Sequence, residues 1–207
     1  MGVLKLTGLF LSGLLLTGSL ALAVPSPRGQ VQQTVDQVLE VLRNKTLSGA
    51  PRREALSKLI RARFDFSAMS QRTLGKYWKE ASLKEKERFV ELFSDLLEAS
   101  YIGRIEAYSD EVVVYLSERV EGDLAEVDTS IHSGNIDIPI SYRLVLDRGA
   151  WYVYDVIIEE VSLIKNYRNS YGEIVRKDGY PGLFARMEEK LRELRAPADG
   201  GKDRGRQ

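Results

Sequence analysis

The stretch "IDIPISYRLVL" (residues 136–146) alternates apolar and polar side chains along most of its length. Side chains that alternate with a period of two lie on opposite faces of a β-strand, one against the core and one in water. The apolar positions are Ile136, Ile138, Ile140, Tyr142, Leu144 and Leu146. We therefore predict a strand with one buried face, as is typical of an antiparallel sheet.

Three similar runs surround it: "EVVVYL" (residues 111–116), "LAEVDTSIHS" (residues 124–133) and "WYVYDVIIE" (residues 151–159). Short turn signals containing Gly122, Gly134 and Gly149 separate the four runs. Connections this short favour antiparallel pairing of successive strands. The last run is apolar on both faces, which indicates a strand covered on both sides.

Apolar residues at three- and four-residue spacing predict helices on either side of these strands. The longest begins at Ser82, which forms a capping box with Glu85, and continues to about Tyr108. After the strands, Ser162 is placed to cap another helix, which Gly179 ends before Pro181 begins the last one. The sequence thus predicts an α+β fold, with several helices on one face of a curved four-stranded antiparallel sheet.

The two termini are predicted to lie outside this domain. Lys5 precedes an apolar run that ends in the triplet "ALA" at residues 21–23, the pattern of a cleavable signal peptide covering residues 1–23. Residues 24–195 are expected to form a single domain, and residues 196–207, which lack core residues, a disordered tail.

Composition narrows the classes of function. The chain contains no cysteine, which excludes disulfides, thiolate metal sites and a cysteine nucleophile. Its 30 basic and 30 acidic residues balance, so no net charge attracts nucleic acid. An exported protein without disulfides is best placed in the bacterial periplasm.

Two titratable residues, His132 and Asp155, are candidates for metal binding or acid–base catalysis. His132 is the single histidine, and strand alternation puts it on the solvent side, away from any metal set. Asp155 lies among apolar neighbours and could serve as the base of a small isomerase or hydratase. The structural alternative pairs Asp155 with Arg143, Arg168 or helix amides near Ser162, and we favour it because the chain offers no second acid or base.

Three blocks of the chain resemble the MlaC family, also known as the toluene-tolerance or ABC-transporter auxiliary family. They are "FDFSAMSQRTLGKYW" (residues 64–78), "ERFVELFSDLLEASYIGRIEAY" (residues 87–108) and "WYVYDVIIEEVSLIKNYRNSYGEIVRKDGYPGL" (residues 151–183). The resemblance spans about residues 31–194 in the expected order, behind a predicted signal peptide. One departure is Glu160, where we expect glycine in the family.

The resemblance implies a monomeric periplasmic carrier rather than an enzyme, with bound glycerophospholipid as cargo and no other cofactor. It implies two partners, an outer-membrane lipoprotein complex and an inner-membrane ABC transporter with an MCE subunit. The acyl chains would enter an apolar cavity between sheet and helices. A cargo-free interaction module is a third alternative.

On this interpretation, the wall of the cavity is built from apolar residues of the long helix, two strands and the junction that follows them. These are Leu74, Phe93, Leu97, Tyr101, Ile105, Ile138, Ile140, Tyr142, Leu144, Val153, Val156, Ile158, Val161, Leu163 and Tyr167. Asp155, Ser162 and Arg168 are expected to hold the junction between strand and helix in shape.

Overall fold

The structure is a computed structural model that describes residues 25–108 and 111–196. The signal peptide predicted for residues 1–23 and all but the first residue of the predicted tail lie outside the described residues.

One antiparallel sheet contains all the strands of the described residues. The strands are β1 (Val112–Glu121), β2 (Leu124–Ser133), β3 (Ile136–Asp147), β4 (Ala150–Ile158) and β5 (Val161–Ser162), paired in that order. The predicted α+β class and antiparallel pairing are confirmed, whereas the sheet has five strands and not four. The curvature and the enclosed cavity stay predictions.

The fifth strand was missed because two residues are too few to show a period. β5 folds back on β4, so that Ile158 pairs with Val161 across a two-residue turn. Glu159 and Glu160 in this turn both have positive φ angles, 48° and 67°. Two-residue hairpin turns of this kind normally carry Asn-Gly or a similar pair, and the sequence lacks that signal here.

β1 is also longer than its apolar run predicts. It continues to Glu121, through charged and polar residues that interact with the neighbouring strand. The Ser117 hydroxyl donates to the Asp128 carboxylate at 2.5 Å, and Arg119 pairs with Glu126. In this part of β1, polar cross-strand contacts rather than alternating apolar side chains stabilise the pairing with β2.

The described residues also form six helices. They are α1 (Pro27–Arg43), α2 (Gly49–Arg63), α3 (Phe66–Leu74), α4 (Lys76–Glu80), α5 (Leu83–Glu106) and α6 (Leu163–Arg195). The predicted capping box at the start of α5 is confirmed: the Glu85 amide donates to the Ser82 hydroxyl and the Ser82 amide to the Glu85 carboxylate. None of these helices is both long and apolar enough to cross a bilayer.

The helices attach to the sheet mainly along β4. The Trp151 amide donates to the buried side-chain oxygen of Gln30 in α1 at 2.8 Å. The Asp65 amide, at the start of α3, donates to the Val153 carbonyl at 2.9 Å. Both bonds pin a helix to the same half of the sheet.

The backbone of α6 leaves the helical conformation at Gly179, the position where the sequence predicts one helix to end before the next begins. Gly179 has φ 66° and ψ −173°, a combination that only glycine adopts readily. Pro181 follows in the first turn after Gly179, where its missing amide costs no helical hydrogen bond.

We expect Gly179→Ala to lower the free energy of unfolding by about 1–3 kcal/mol, because alanine is strained at this φ and ψ. Gly103→Ala is the matched control: Gly103 lies inside α5 with no atom within 4 Å of an added Cβ. Alanine should raise helix stability there by about 0.5–1 kcal/mol. Urea unfolding followed by circular dichroism measures both, and equal effects of the two changes would contradict the assignment.

Candidate functional site

The buried apolar residues form two clusters rather than one. The helical cluster gathers residues of α3, α5 and α6, among them the fully buried Phe89, Phe93 and Leu183. The sheet cluster gathers one face of β2, β3 and β4 with Val31 of α1 and Leu163 of α6. Two partly buried aromatic side chains, Phe64 and Tyr101, pack against both clusters. We call the boundary between the clusters the seam.

The sheet face that points toward the helices, here called the inner face, changes in exposure along the strands. At one end Ala125, Leu144, Val153 and Trp151 are buried. Toward the other end a group of residues is only half-buried, although all its members are apolar or aromatic. This group, the inner patch, consists of Tyr115, Ile131, Ile138, Tyr142 and Ile158.

Strand register shows that the inner patch is continuous. Tyr115 pairs with Thr129, which pairs with Ile140, which pairs with Ile158. Ile131 pairs with Ile138 in the adjacent row. The patch is therefore a single surface across four strands, with buried Thr129 and Ile140 at its centre.

The tyrosines around the seam are uncharged at physiological pH. Burial, with a smaller contribution from nearby Tyr108, raises the pKa of Tyr142 to about 12. Burial also raises the pKa of Tyr101, Tyr115 and Tyr167 above the ordinary value. The phenols therefore add hydrogen-bonding groups to this surface but no charge.

Aromatic rings line the helical side of the seam. Phe93 stacks on Phe89 with ring centroids 5.4 Å apart, and it meets Tyr167 and Tyr171 edge-on at 5.3 and 6.1 Å. These rings connect α5 to the first half of α6. Edge-on aromatic contacts of this kind contribute about 0.5–1.5 kcal/mol each beyond the buried area.

The fifteen residues predicted for the wall fall into four groups. Leu74, Phe93 and Leu97 are buried in the helical cluster, with half-buried Tyr167 against them. Those buried in the sheet cluster are Ile140, Leu144, Val153, Val156 and Leu163. Half-buried on or beside the inner patch are Tyr101, Ile138, Tyr142 and Ile158.

The last two predicted wall residues lie apart from both clusters. Ile105 is half-buried near the end of α5. Val161 is 54% exposed, directly after the two-residue turn between β4 and β5. Its position next to the turn leaves more than half of the side chain in water, so it contributes little to any wall.

Asp155 lies at the junction between β4 and α6. It is 4% exposed, and its two oxygens accept from the Ser162 hydroxyl at 2.7 Å and the Ile164 amide at 3.2 Å. Arg143 lies alongside, 3.7 Å from the same carboxylate. The Ser162 hydroxyl also accepts from the Lys165 amide at 3.0 Å, which caps α6. With both oxygens engaged, Asp155 anchors a helix end and is not placed as a free base.

Of the alternative partners predicted for Asp155, Arg143 and a helix amide are the ones it contacts, and the remaining candidate is Arg168. Its Nε donates to the Arg72 carbonyl of α3 at 2.7 Å, so that it ties α6 to α3 and not to Asp155. Gly75, with a φ of 56°, passes close to this side chain. Arg72 in turn stacks over the Tyr154 ring at 4.1 Å from the centroid. Together these contacts brace the helices beside β4.

His132 and Asp137 face each other on adjacent strands of the opposite, outer face of the sheet and form an ion pair when the histidine is charged. The Asp137 side chain is 69% exposed, so the pair is at the surface. Among the described residues, no group of three or more His, Asp or Glu side chains is arranged to hold a metal ion.

Sequence reasoning missed three residues at the seam: Phe64, Tyr115 and Thr129. The sequence pattern identifies Tyr115 only as part of an apolar run and Thr129 only as one position of an alternating strand. Their positions on the inner face follow from strand pairing. The available signal was the alternation of β2, since Thr129 falls in phase with Val127 and Ile131.

A surface depression lies elsewhere on the molecule. It has a volume of about 530 Å³ and runs between α5 and α6, lined by charged side chains such as Arg88, Asp95 and Arg195 with Leu92 and Leu191. Several of these charges pair across it, including Arg88 with Glu188 at 2.6 Å and Arg195 with Asp95 at 2.8 Å. Such a polar groove does not suit acyl chains.

Comparison with known proteins identifies relatives of the chain. A family model described as MlaC protein matches residues 32–189. The intermembrane phospholipid transport system binding protein MlaC of Haemophilus influenzae is 27% identical over 124 residues, 57% of this chain. That alignment covers 58% of the Haemophilus protein, less than two thirds of its length. The toluene tolerance protein ttg2D of Pseudomonas putida is 23% identical over 167 residues, 77% of this chain and 78% of that protein.

A solved structure has the same fold. The phospholipid-binding protein from Ralstonia solanacearum, determined in complex with a phospholipid, superposes with a TM-score of 0.76 at 22% sequence identity. The superposition covers 82% of this chain and 99% of the Ralstonia chain.

We expect Asp155→Asn to lower the free energy of unfolding by about 1–3 kcal/mol, because an amide accepts at one atom and leaves a buried donor without its charged partner. Asp137→Asn, at an exposed position of the same sheet, serves as the control and should change stability by less than about 0.5 kcal/mol. Chemical denaturation measures both. Equal stabilities of Asp155→Asn and the wild type would mean that the junction does not depend on this carboxylate.

Proposed function

The chain belongs to the MlaC family, and from that membership we propose that it is a carrier that binds glycerophospholipids and moves them between membranes. Two relatives support this proposal by name, since one is an intermembrane phospholipid transport system binding protein and the other a toluene tolerance protein. A protein of the same fold was determined with a phospholipid bound.

The observation that carries the proposal is the division of the apolar interior into two clusters. Most domains of this size bury one continuous core. Here, the partly buried Phe64 and Tyr101 are the side chains that contact both clusters in the described part of the chain. In this proposal Phe64 and Tyr101 move aside when lipid binds, so that the seam admits an apolar ligand.

The seam has the chemical character that acyl chains require. Two chains of about 14 methylenes each, at roughly 0.8 kcal/mol per methylene, lose about 22 kcal/mol of transfer free energy if they are exposed to water. A carrier must supply a comparable apolar environment, or the lipid remains in its membrane. The sheet cluster supplies mainly aliphatic side chains, and the helical cluster adds the aromatic rings of Phe89, Phe93 and Tyr171.

We assign the acyl chains to the space between the predicted wall residues of the two clusters. Ile140, Leu144, Val153, Val156 and Leu163 would contact them from the sheet side, and Leu74, Phe93, Leu97 and Tyr167 from the helical side. Entry would be across the inner patch, where Ile138, Tyr142 and Ile158 are half-buried before any lipid arrives.

The headgroup would remain at the solvent edge of the inner patch. The guanidinium of Arg28 stands over the Tyr115 ring at 5.5 Å, and that of Arg104 stands over the Tyr101 ring at 5.6 Å. Both arginines are exposed. Arginine at such an edge suits a phosphate group, because its planar donors match phosphate oxygens.

Transport between membranes further requires a location and partners. We propose that the protein works in the periplasm, exported by the predicted signal peptide. There it would exchange lipid with an outer-membrane lipoprotein complex and with an inner-membrane ABC transporter that has an MCE subunit. The resemblance of the three sequence blocks and the names of the relatives support this assignment.

The isomerase or hydratase alternative rested on Asp155, and the geometry offers it little. The two oxygens of Asp155 accept from Ser162 and Ile164, and Asp155 pairs with Arg143 of the outer face rather than with the inner patch. A carboxylate held in this way supports a helix terminus. We therefore assign Asp155 a structural role and propose a carrier rather than an isomerase or hydratase.

Organic extraction of protein purified from its native compartment should yield glycerophospholipid in the mass spectrum, at up to one molecule per chain. Delipidated protein should also take up phospholipid from vesicles, because the seam supplies the apolar environment described above. If neither experiment detects lipid, the carrier proposal is wrong.

A matched pair of variants on β3 tests the site. Ile138→Asn places an amide on the inner patch and should lower lipid uptake from vesicles about tenfold, since burying an unpaired amide costs about 1–3 kcal/mol. Val145→Asn places the same group on the outer face of the same strand, at a similarly half-buried position. It should leave uptake unchanged. Equal losses in both variants, at equal thermal stability, would place the binding surface elsewhere.

A further inference from the structure

Tyr115 presents an unusual polar group in an apolar setting. Its hydroxyl oxygen is buried and has no hydrogen-bond partner among the described residues. Its ring packs against the sheet cluster on the inner face, in register with Thr129. A buried hydroxyl without a partner is rare and costly, so each instance calls for a physical explanation.

The neighbouring polar groups of the sheet are already engaged. The Thr129 hydroxyl donates to the Ile140 carbonyl at 2.9 Å. The hydroxyls of Ser70 and Thr73 are also buried without a partner, but they belong to α3 and not to the inner face. Tyr115 is thus the residue of the inner patch whose hydrogen-bonding capacity is unused in the described part of the chain.

The position of Tyr115 marks the boundary between the polar and apolar parts of the site. On one side the exposed Arg28 stands over its ring, 5.5 Å from the centroid. On the other side its row of the sheet continues into Ile140 and Ile158. In a diacyl lipid, the ester carbonyls lie at the same boundary, between the phosphate and the acyl chains.

We propose that the Tyr115 hydroxyl donates a hydrogen bond to an acyl ester carbonyl of the bound lipid and thereby selects ester-linked over ether-linked lipids. This inference rests on the proposed carrier function. An ester carbonyl is a neutral acceptor and suits a neutral phenol within an apolar wall. An ether oxygen is a weaker acceptor, and replacing the carbonyl leaves the hydroxyl unpaired again.

The test is a competition between two lipids in the same vesicles. Delipidated protein is incubated with vesicles of diacyl and dialkyl phosphatidylethanolamine in equal amounts, with matched chain lengths. The lipids that the protein removes are then counted by mass spectrometry. We expect the wild type to be enriched in the diacyl lipid about threefold to tenfold over the vesicles, the range of one net hydrogen bond.

Tyr115→Phe should abolish this enrichment while keeping thermal stability at the wild-type level or above, because it removes only the orphan hydroxyl. Tyr152→Phe is the control: Tyr152 lies on β4, opposite Val145 and away from the inner patch, and should keep the enrichment. The wild-type measurement needs no variant: a wild type without enrichment overturns the proposal whether or not Tyr115→Phe folds.

The possible outcomes separate the two proposals. A wild type that takes up both lipids in the proportion of the vesicles overturns the role of Tyr115 and leaves the carrier function standing. Enrichment that persists in Tyr115→Phe also overturns it. A wild type that takes up neither lipid overturns the carrier function and this inference together.

Discussion

The structure depends on keeping an apolar sheet face attached to the helices at one end and loosely covered at the other. Apolar surfaces in water tend to close on one another, so this arrangement requires anchors that fix where the helices sit. The anchors are polar and lie along β4. The Gln30 side-chain oxygen accepts from the Trp151 amide, and the Asp65 backbone amide donates to the Val153 carbonyl. The Asp155 carboxylate accepts from the Ile164 amide. These anchors bury one end of the inner face and leave the inner patch half-exposed.

The same division explains how a ligand could enter without unfolding the protein. Ion pairs attach α5 to two other helices. Asp95 and Glu98 of α5 pair with Arg61 of α2. Arg88 of α5 pairs with Glu188 of α6. The contact of α5 with the sheet cluster is made by the Tyr101 ring. Opening the seam therefore separates apolar contacts, which acyl chains can replace, and leaves the polar contacts between helices in place.

Long, periodic elements could be predicted from the sequence, and short ones could not. The alternation of β3 and the capping box of α5 gave both elements within a residue or two, because each depends on local spacing. Most of the predicted wall residues lie in or against one of the two clusters, although the clusters also contain many residues that were not predicted for the wall. The importance of Tyr115 and Phe64 depends on which strands and helices meet, which no local pattern records. For the same reason the sequence left Arg143, Arg168 and the helix amides open as partners of Asp155.

The turn between β4 and β5 shows how distant contacts replace local preference. Glu159 and Glu160 both adopt positive φ, which costs a residue with a Cβ about 1–2 kcal/mol relative to its favoured conformations. Contacts on both sides of the turn hold it: the Glu159 amide donates to the Pro139 carbonyl at 3.1 Å, and Ser162 binds Asp155. The glycine expected in the family at position 160 would adopt this conformation without strain. In this chain, the buried Asp155 junction therefore stabilises a turn that its own two residues disfavour.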